Sequence, residues 1–116
     1  MATHASTIAY LLDQLANLPG VRARKMFGEY ALYYDDKVVA LVCDNQLFVK
    51  ITAASRALVG AEGAEGLAYP GAKPSLVIGA EFIDDHERLC ELIQATAADL
   101  PPPKPPKPPK PRRRAR

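Results

Sequence analysis

The sequence predicts a two-layer α+β domain, in which helices pack on an antiparallel β-meander. Two observations predict this fold. Apolar residues recur at helical spacing near both ends of the first hundred residues, whereas residues 21–51 are rich in β-branched and aromatic residues broken by short polar turns. A length of 116 residues with 48 % hydrophobic content fits a single core.

The first helix is predicted from apolar residues that recur every three or four positions, namely Ile8, Leu11, Leu12, Leu15 and Leu18. Ser6 and Thr7 are candidate amino-terminal caps, and Pro19-Gly20 should end the segment. The pattern predicts an amphipathic helix that packs on the sheet.

Four strands are expected next, over residues 21–27, 29–34, 37–43 and 46–51. Asp35-Asp36 and Asp44-Asn45 are the predicted hairpin turns, because short Asx side chains tolerate left-handed backbone. Gly28 separates the first two strands, where a tight turn or bulge favours glycine.

The third strand is apolar at every position from Val38 to Cys43, so it should be central and covered on both faces. If helices cover only one face of the sheet, a second copy of the chain is the simplest cover for the other. A homodimer is therefore expected.

The remainder of the domain is predicted as a helix over residues 53–59 capped by Thr52, a glycine-rich loop of low order, a strand over 75–82 and a final helix. Asp84 is the expected cap of that helix, with Glu87 at capping-box spacing. Its buried stripe is Leu89, Leu92, Ile93 and Ala97.

Charge is divided between two segments of the chain. Residues 1–100 hold thirteen acidic and eight basic residues, a net charge of −5, whereas residues 101–116 carry +7. The second segment, PPPKPPKPPKPRRRAR, contains no core-forming residues and is expected to be a disordered tail of polyproline II followed by a basic cluster. Its cations are Lys104, Lys107, Lys110, Arg112, Arg113, Arg114 and Arg116.

Catalytic and cofactor motifs are absent from the sequence. The two histidines and the widely spaced Cys43 and Cys90 form no metal-ligand pattern, and the glycines form no nucleotide-binding motif. The expectation is therefore a protein that is not an enzyme and has no cofactor. Both cysteines are expected to be reduced core residues, which suits a cytoplasmic protein, and no signal peptide or membrane span is recognised.

A candidate anion or partner contact is formed by the basic residues of the first and fourth strands, namely Arg22, Arg24, Lys25 and Lys50, together with Phe27 and Gly28. The alternative is a solvated strand face with Met26 and Phe27 in the core. Tyr30, Tyr33 and Tyr34 offer stacking surface to nucleic acid only if they are exposed beside these cations.

The meander resembles the amino-terminal domain of the TfoX/Sxy family. The resemblance lies in Arg24-Lys25-Met26-Phe27-Gly28 followed by Leu47-Phe48-Val49-Lys50, and it covers roughly residues 6–98. It implies a two-layer fold similar to the secretion-chaperone class, whose members form dimers, and a role in regulating competence genes as a transcriptional co-activator. Full-length members carry a second, helical domain where this sequence has the basic tail.

Two functions remain open at this point. The first is a regulator that docks on another protein, such as a transcription factor, while the tail adds non-specific affinity for nucleic acid. The second is a dimeric, chaperone-like adaptor with no nucleic-acid role, whose tail serves as a spacer or as a ligand for a proline-recognising partner.

Overall fold

The computed structural model describes residues 3–26, 29–60 and 63–101 and confirms the predicted α+β class. Six strands form one open antiparallel sheet in the order β1-β2-β3-β4-β6-β5, and four helices pack with it. The elements are α1 (Ala5–Gln14), β1 (Arg22–Met26), β2 (Glu29–Tyr34), β3 (Lys37–Cys43), β4 (Gln46–Val49), α2 (Ala53–Val59), β5 (Ala64–Gly66), β6 (Ser75–Ile78), α3 (Ala80–Asp84) and α4 (His86–Asp99).

The strand register assigns residues to two faces, because directly paired residues of antiparallel strands share a face. One paired row crosses all six strands through Arg24, Ala31, Leu41, Phe48, Val77 and Ala64. The neighbouring row runs through Ala23, Leu32, Ala40, Val49, Leu76 and Glu65. The second row belongs to the side that packs on the helices, called here the helix face, and the first to the opposite side, the open face.

The hydrophobic core lies between the helix face and helices α1 and α4. Leu11 from α1 and the fully buried Leu89 and Leu92 from α4 pack against Leu32 and Leu47 of the sheet. The predicted stripe of the last helix is therefore confirmed. In the first helix Ile8 and Leu11 are buried and Leu12 is half-buried, but α1 ends at Gln14, so the predicted helix is too long at its carboxyl end. Leu15 and Leu18 are buried in the turn that follows α1.

Both predicted hairpin turns are confirmed. Asp35, Asp36, Asp44 and Asn45 have φ of 55°, 60°, 52° and 62°, the paired left-handed conformation of a type I′ turn. The capping of α2 is also confirmed, because the Thr52 hydroxyl accepts a hydrogen bond from the Ser55 backbone N–H at 3.0 Å.

The predicted strand over residues 75–82 is wrong beyond Ile78. The carbonyl of Gly79 accepts hydrogen bonds from the backbone N–H groups of Phe82 and Ile83, so the chain turns into α3. The cap of the last helix is consequently Asp85, which accepts from the Arg88 N–H, and not Asp84, which ends α3 and accepts from the Tyr10 hydroxyl. Two adjacent aspartates can each cap a helix, and sequence alone did not separate them.

Two other local predictions are corrected. Helix α1 begins after His4 without a side-chain cap, since the Thr7 hydroxyl instead donates to Asn45 Oδ1 at 2.8 Å. The glycine-rich segment, expected to be a loop, contains the edge strand β5 paired with β6. The other strand ends differ from prediction by one or two residues, and Phe27 and Gly28 lie outside the described residues.

The carboxyl end of α4 is anchored by a lysine from the sheet. Lys37 Nζ donates to the carbonyl oxygens of Ala97 at 2.8 Å and Leu100 at 3.2 Å, and only 13 % of its side chain is exposed. The Ala97 carbonyl also accepts from the Leu100 backbone N–H at 3.2 Å, so Lys37 is its second donor, and the cation lies at the carboxyl end of the helix, where positive charge is favourable. The clamp holds Leu100 beside β3.

Candidate partner-binding cleft

A cleft crosses the open face of the sheet. It consists of two adjoining cavities of about 560 Å³ and 480 Å³ that share Leu41, Ala68 and Tyr69. The first also has Phe48, Lys50, Ile51 and Lys73 in its lining, and the second has Met26, Glu29 and Cys43. We call the two together the sheet cleft. Cavities of this size with an apolar lining and few polar groups are typical of binding sites.

One wall of the sheet cleft is the connection between β5 and β6, residues 67–74, called here the strap. Tyr69-Pro70-Gly71-Ala72 forms a tight turn, closed by a 3.0 Å hydrogen bond from the Ala72 N–H to the Tyr69 carbonyl. Gly71 has φ of 87°, and proline precedes it, so the turn has the type II pattern. Tyr69 is the first residue of this turn and Lys73 directly follows it, and both line the larger cavity.

The last residue of β5, Gly66, has no room for a side chain. A Cβ built on Gly66 would lie 2.8 Å from Val77 Cγ2 and 3.6 Å from Phe48 Cε2, both on the open face. Only glycine permits this spacing without displacement of a neighbour. Glycine at this position therefore lets β5 end beside Val77 and Phe48 at the edge of the sheet, immediately before the strap begins.

Large apolar side chains are exposed around the cleft. Met26, Ile51 and Tyr69 retain 40 %, 38 % and 55 % of their accessible surface, and all three line the two cavities. Contiguous apolar exposure of this kind marks an interaction site more often than scattered single residues do. The alternative that placed Met26 in the core is therefore wrong.

The structure places the predicted basic residues on two faces of the sheet and at two separate positions. Arg22 and Arg24 lie exposed on the open face of edge strand β1, and Lys50 lies exposed in the lining of the sheet cleft. Lys25 pairs with Tyr30 and so belongs to the helix-face side of β1. Since β1 and β4 are three strand spacings apart, roughly 14 Å, the arginines and Lys50 share a face without forming one cluster.

Arg22 already has partners at the edge of the sheet. Its guanidinium lies 3.1 Å from Asp36 Oδ1 and 5.4 Å from the centroid of the Tyr33 ring. Both members of the ion pair are exposed, so it contributes little to stability. The candidate residues Phe27 and Gly28 and the cations of the tail, Lys104 to Arg116, lie outside the described residues.

The acidic residues of the body lie mainly on the helical layer. Seven of the thirteen are on α1, α3 and α4 or cap α4, namely Asp13, Glu81, Asp84, Asp85, Glu87, Glu91 and Asp99. Arg88 is the one basic residue on those three helices. The helical side is therefore predominantly anionic, whereas the open face carries Arg22, Arg24, Lys50 and Lys73 together with the carboxylates of Glu29 and Asp36.

The far end of the cleft contains a carboxylate and a thiol. Glu29 accepts hydrogen bonds from the Thr3 hydroxyl at 2.8 Å and from the Asp44 backbone N–H at 2.9 Å. Burial, with a smaller contribution from Glu29, raises the pKa of the Cys43 thiol. Cys43 is consequently neutral at physiological pH and a poor nucleophile.

The cover expected for the third strand comes in part from the chain itself. Ala31, Cys43 and Phe48 are buried although they belong to the open face, and the strap lies against the half-buried Leu41. The prediction that β3 is central is confirmed by its position third in the six-stranded sheet; it is buried on the helix face at Ala40 and Val42, and on the open face at Cys43, with Leu41 half-buried. The expected homodimer stays a prediction.

Sequence reasoning missed the strap residues that complete the cleft, Tyr69 and Lys73. The turn signature Tyr69-Pro70-Gly71 was visible in the sequence, but nothing local indicated that this turn folds over Leu41. That contact depends on the pairing of β5 with β6, which is a tertiary property.

Among the described residues no group of three or more His, Cys, Asp or Glu side chains is positioned to hold a metal ion. Within the same residues, no helix combines the length and apolar character that crossing a bilayer requires. The two cysteines, Cys43 and Cys90, carry free thiols.

These features define a class of small α+β domains, in which helices cover one side of an antiparallel sheet and the other side carries a binding cleft. The chain belongs to the TfoX N-terminal domain family, whose sequence profile it matches over residues 13–100. The family is one of competence-related regulators. A relative from Spirochaeta aurantia, described as an uncharacterized 12.7 kDa protein in the trpE 5′ region, is 45 % identical over 105 residues, covering 90 % of this chain and 89 % of the relative.

Proposed function

We propose that this protein is a non-enzymatic regulator that docks on a partner protein, such as a transcription factor, through the open face of its sheet. The observation that carries the proposal is the sheet cleft, with its exposed Met26, Ile51 and Tyr69 beside Lys50 and Lys73. Exposed apolar and aromatic side chains next to charge are the usual composition of a protein-binding surface. Membership of the TfoX N-terminal domain family supports a regulatory role.

The tail, residues 101–116, adds non-specific affinity for nucleic acid in this proposal. Pro101, where it starts, lines a small cavity together with Lys50 and Leu100, so it leaves the body next to the sheet cleft. Its seven positive charges can displace counterions from several phosphates without reading sequence. A partner on the open face and nucleic acid on the tail would then lie side by side.

The test compares the full chain with residues 1–100 in a fluorescence-anisotropy titration of labelled duplex DNA, at low and at physiological salt. The full chain should bind with a steep salt dependence, and removal of the tail should weaken binding and flatten that dependence. Unchanged affinity after truncation would refute the role of the tail. A circular dichroism spectrum of each protein controls for folding.

A dimeric adaptor without a nucleic-acid role is the second candidate. It is favoured by the apolar open-face row Ala31, Leu41 and Phe48 across β2, β3 and β4, in which Leu41 is only half-buried, and by the exposed Met26 and Ile51 in the lining of the same cleft. Sedimentation velocity at micromolar concentration separates the two candidates. A stable dimer in which Met26→Asp causes dissociation would favour the adaptor, and a monomer would favour the regulator.

The same proposal holds the protein to be cytoplasmic, in keeping with its two free thiols, and free of catalytic activity. The motivation for the second part is the chemistry of the cleft: its one thiol, Cys43, is neutral, and its one carboxylate, Glu29, already accepts two hydrogen bonds. Such groups are not arranged as a nucleophile with an adjacent base. Turnover of a substrate that Cys43→Ala or Glu29→Gln abolishes would overturn this part of the proposal.

A further inference from the structure

The two ends of the sheet cleft differ in charge. Lys50 and Lys73 are exposed and line the cavity at one end, and the carboxylate of Glu29 lines the cavity at the other. Between them the lining common to both cavities is Leu41, Ala68 and Tyr69. The cleft therefore changes from cationic through apolar to anionic along its length.

This polarity argues against two occupants. The tail begins beside Lys50, but its cations would be brought against Lys50 and Lys73 if it filled the cleft. A nucleic-acid strand carries phosphate along its whole length, so it would meet Glu29 after passing the lysines. The floor offers Leu41 and Phe48, of which Phe48 is only 6 % exposed, so the exposed ring of Tyr69 is left as a single stacking surface, whereas grooves for single strands stack successive bases on several rings.

We propose that the sheet cleft binds an extended peptide segment of the partner in which an acidic residue directly follows an apolar run. The acidic side chain would lie between Lys50 and Lys73, and the apolar side chains would cover Leu41 against the ring of Tyr69. This inference rests on the proposed docking function and names the chemistry of the docked segment. It uses charge complementarity at one end and burial of exposed apolar surface in the middle.

The strap provides the specificity in this arrangement. Its type II turn holds Tyr69 over the apolar middle, and Lys73 follows two residues after Gly71, toward the cationic end. A rigid corner lowers the entropic cost of binding, because the two contacting side chains do not have to be ordered by the peptide. A segment that matches both would be selected over one that matches only the apolar part.

The experiment uses the full chain and two synthetic peptides that carry the same neutral fluorophore. One has an apolar Leu-Val-Leu-Val run ended by two aspartates, and the other has the same run ended by two lysines. Anisotropy titrations should show that the aspartate peptide binds roughly tenfold more tightly than the lysine peptide. Because the tail also attracts anions, the decisive readout is how body substitutions change this preference.

Lys50→Glu and Lys73→Glu should each lower affinity for the aspartate peptide about fivefold and raise that for the lysine peptide. Lys25→Glu is the matched control, because it changes net charge equally but lies on the helix-face side of β1. The control should change the preference by less than about twofold. Equal effects of all three substitutions would mean only bulk charge is sensed and would overturn the proposal.

Tyr69→Ala should lower the affinity for both peptides by about tenfold. Tyr69→Phe should bind as the parent does, since the ring contributes its apolar surface. Failure of Tyr69→Phe to restore affinity would contradict the apolar contact. The same variants titrated with a labelled oligothymidylate provide the competing outcome. Loss of that binding on Lys50→Glu but not on Lys25→Glu would assign the cleft to nucleic acid and overturn the peptide proposal.

Failure of this proposal is distinguishable from failure of the proposed function. Truncation of the tail tests the nucleic-acid role without involving Lys50, Lys73 or Tyr69. A protein whose tail binds DNA but whose cleft shows no peptide preference would keep the tail's role and lose this inference. Sedimentation of the parent and of Lys50→Glu is the last measurement. If the parent is a dimer and the substitution dissociates it, a second copy of the chain occupies the cleft, and the peptide proposal is overturned.

Discussion

The two faces of the sheet are both apolar, yet they differ in how they are covered and in what they can do. The helix face is closed by α1 and α4, and Leu32, Val42 and Leu89 there are fully buried. Among the residues that the structure describes, only the strap covers the open face, and Met26 and Tyr69 remain about half exposed. An apolar strand sequence alone therefore does not identify the core, because one apolar face of this sheet is buried under helices and the other is left partly exposed in a cleft.

Charge sharpens the contrast between the faces. The helices behind the helix face carry seven carboxylates, whereas the open face is bordered by Arg22, Arg24, Lys50 and Lys73. If a partner docks as proposed, an anionic segment would be attracted to the open face and repelled from the helical layer.

The largest expected effect separates the faces by stability. Leu89→Ala on α4 removes a fully buried side chain and should lower the free energy of unfolding by about 2–5 kcal/mol. Met26→Ala on the open face should lower it by less than about 1 kcal/mol, because that side chain is 40 % exposed. Urea denaturation measures both, and equal losses would break the distinction between the faces.

The Lys37 clamp should give the next largest effect. Lys37→Met keeps the aliphatic stem but removes the ammonium donor from the Leu100 carbonyl and one of the two donors from the Ala97 carbonyl, so the free energy of unfolding should fall by about 1–2 kcal/mol. Lys25→Met is the control, since Lys25 is exposed on an edge strand. Urea denaturation of the two variants should differ by most of that amount; equal stabilities would show that the clamp contributes nothing.

A smaller effect is expected from the turn of the strap. Gly71→Ala places a Cβ on a residue at φ of 87° and should cost about 1 kcal/mol, expressed mainly as local opening of the β5–β6 connection. Hydrogen exchange should accelerate at the Ala72 amide, which bonds to the Tyr69 carbonyl, and not at amides of α4. Uniform acceleration across the protein would contradict a local role for the turn.

The smallest effect concerns pH. Burial raises the pKa of the Cys43 thiol, so the unfolded chain loses this proton first, at its usual pKa of 9.0, while the folded chain keeps it. Stability should therefore decline as pH rises through about 9 and be unaffected by this group near neutrality. The urea midpoint of the parent should fall more than that of Cys43→Ala over this range, and parallel curves would contradict burial of the thiol.

Periodic and turn chemistry made most of the fold predictable. The type I′ turns at Asp35-Asp36 and Asp44-Asn45, the Thr52 cap and the stripe of α4 are local features, and each followed from residues within a few positions of one another. Errors occurred where two local signals competed. Gly79 could continue a strand or cap a helix, and either Asp84 or Asp85 could cap α4.

The candidate site was only partly predictable, for a different physical reason. Lys50 was identified from its charge at the end of a strand, and strand alternation later showed that Lys25 faces away from Arg22 and Arg24. Tyr69 and Lys73 are about twenty residues from Lys50 in the chain, and they reach the cleft only because β5 pairs with β6. Such long-range pairing leaves no local pattern in the sequence.

The most direct test of the central claim, that partners bind the open face, is chemical-shift mapping of the ¹⁵N-labelled full chain with the aspartate-ended peptide. If the peptide binds the sheet cleft, the largest changes in amide chemical shift should occur at Leu41, Phe48, Tyr69 and Lys73. Amides of α1 and of the middle of α4 should be nearly unchanged. Shift changes concentrated on those helices, with none at the cleft residues, would contradict binding at the open face and place the binding surface on the helical layer.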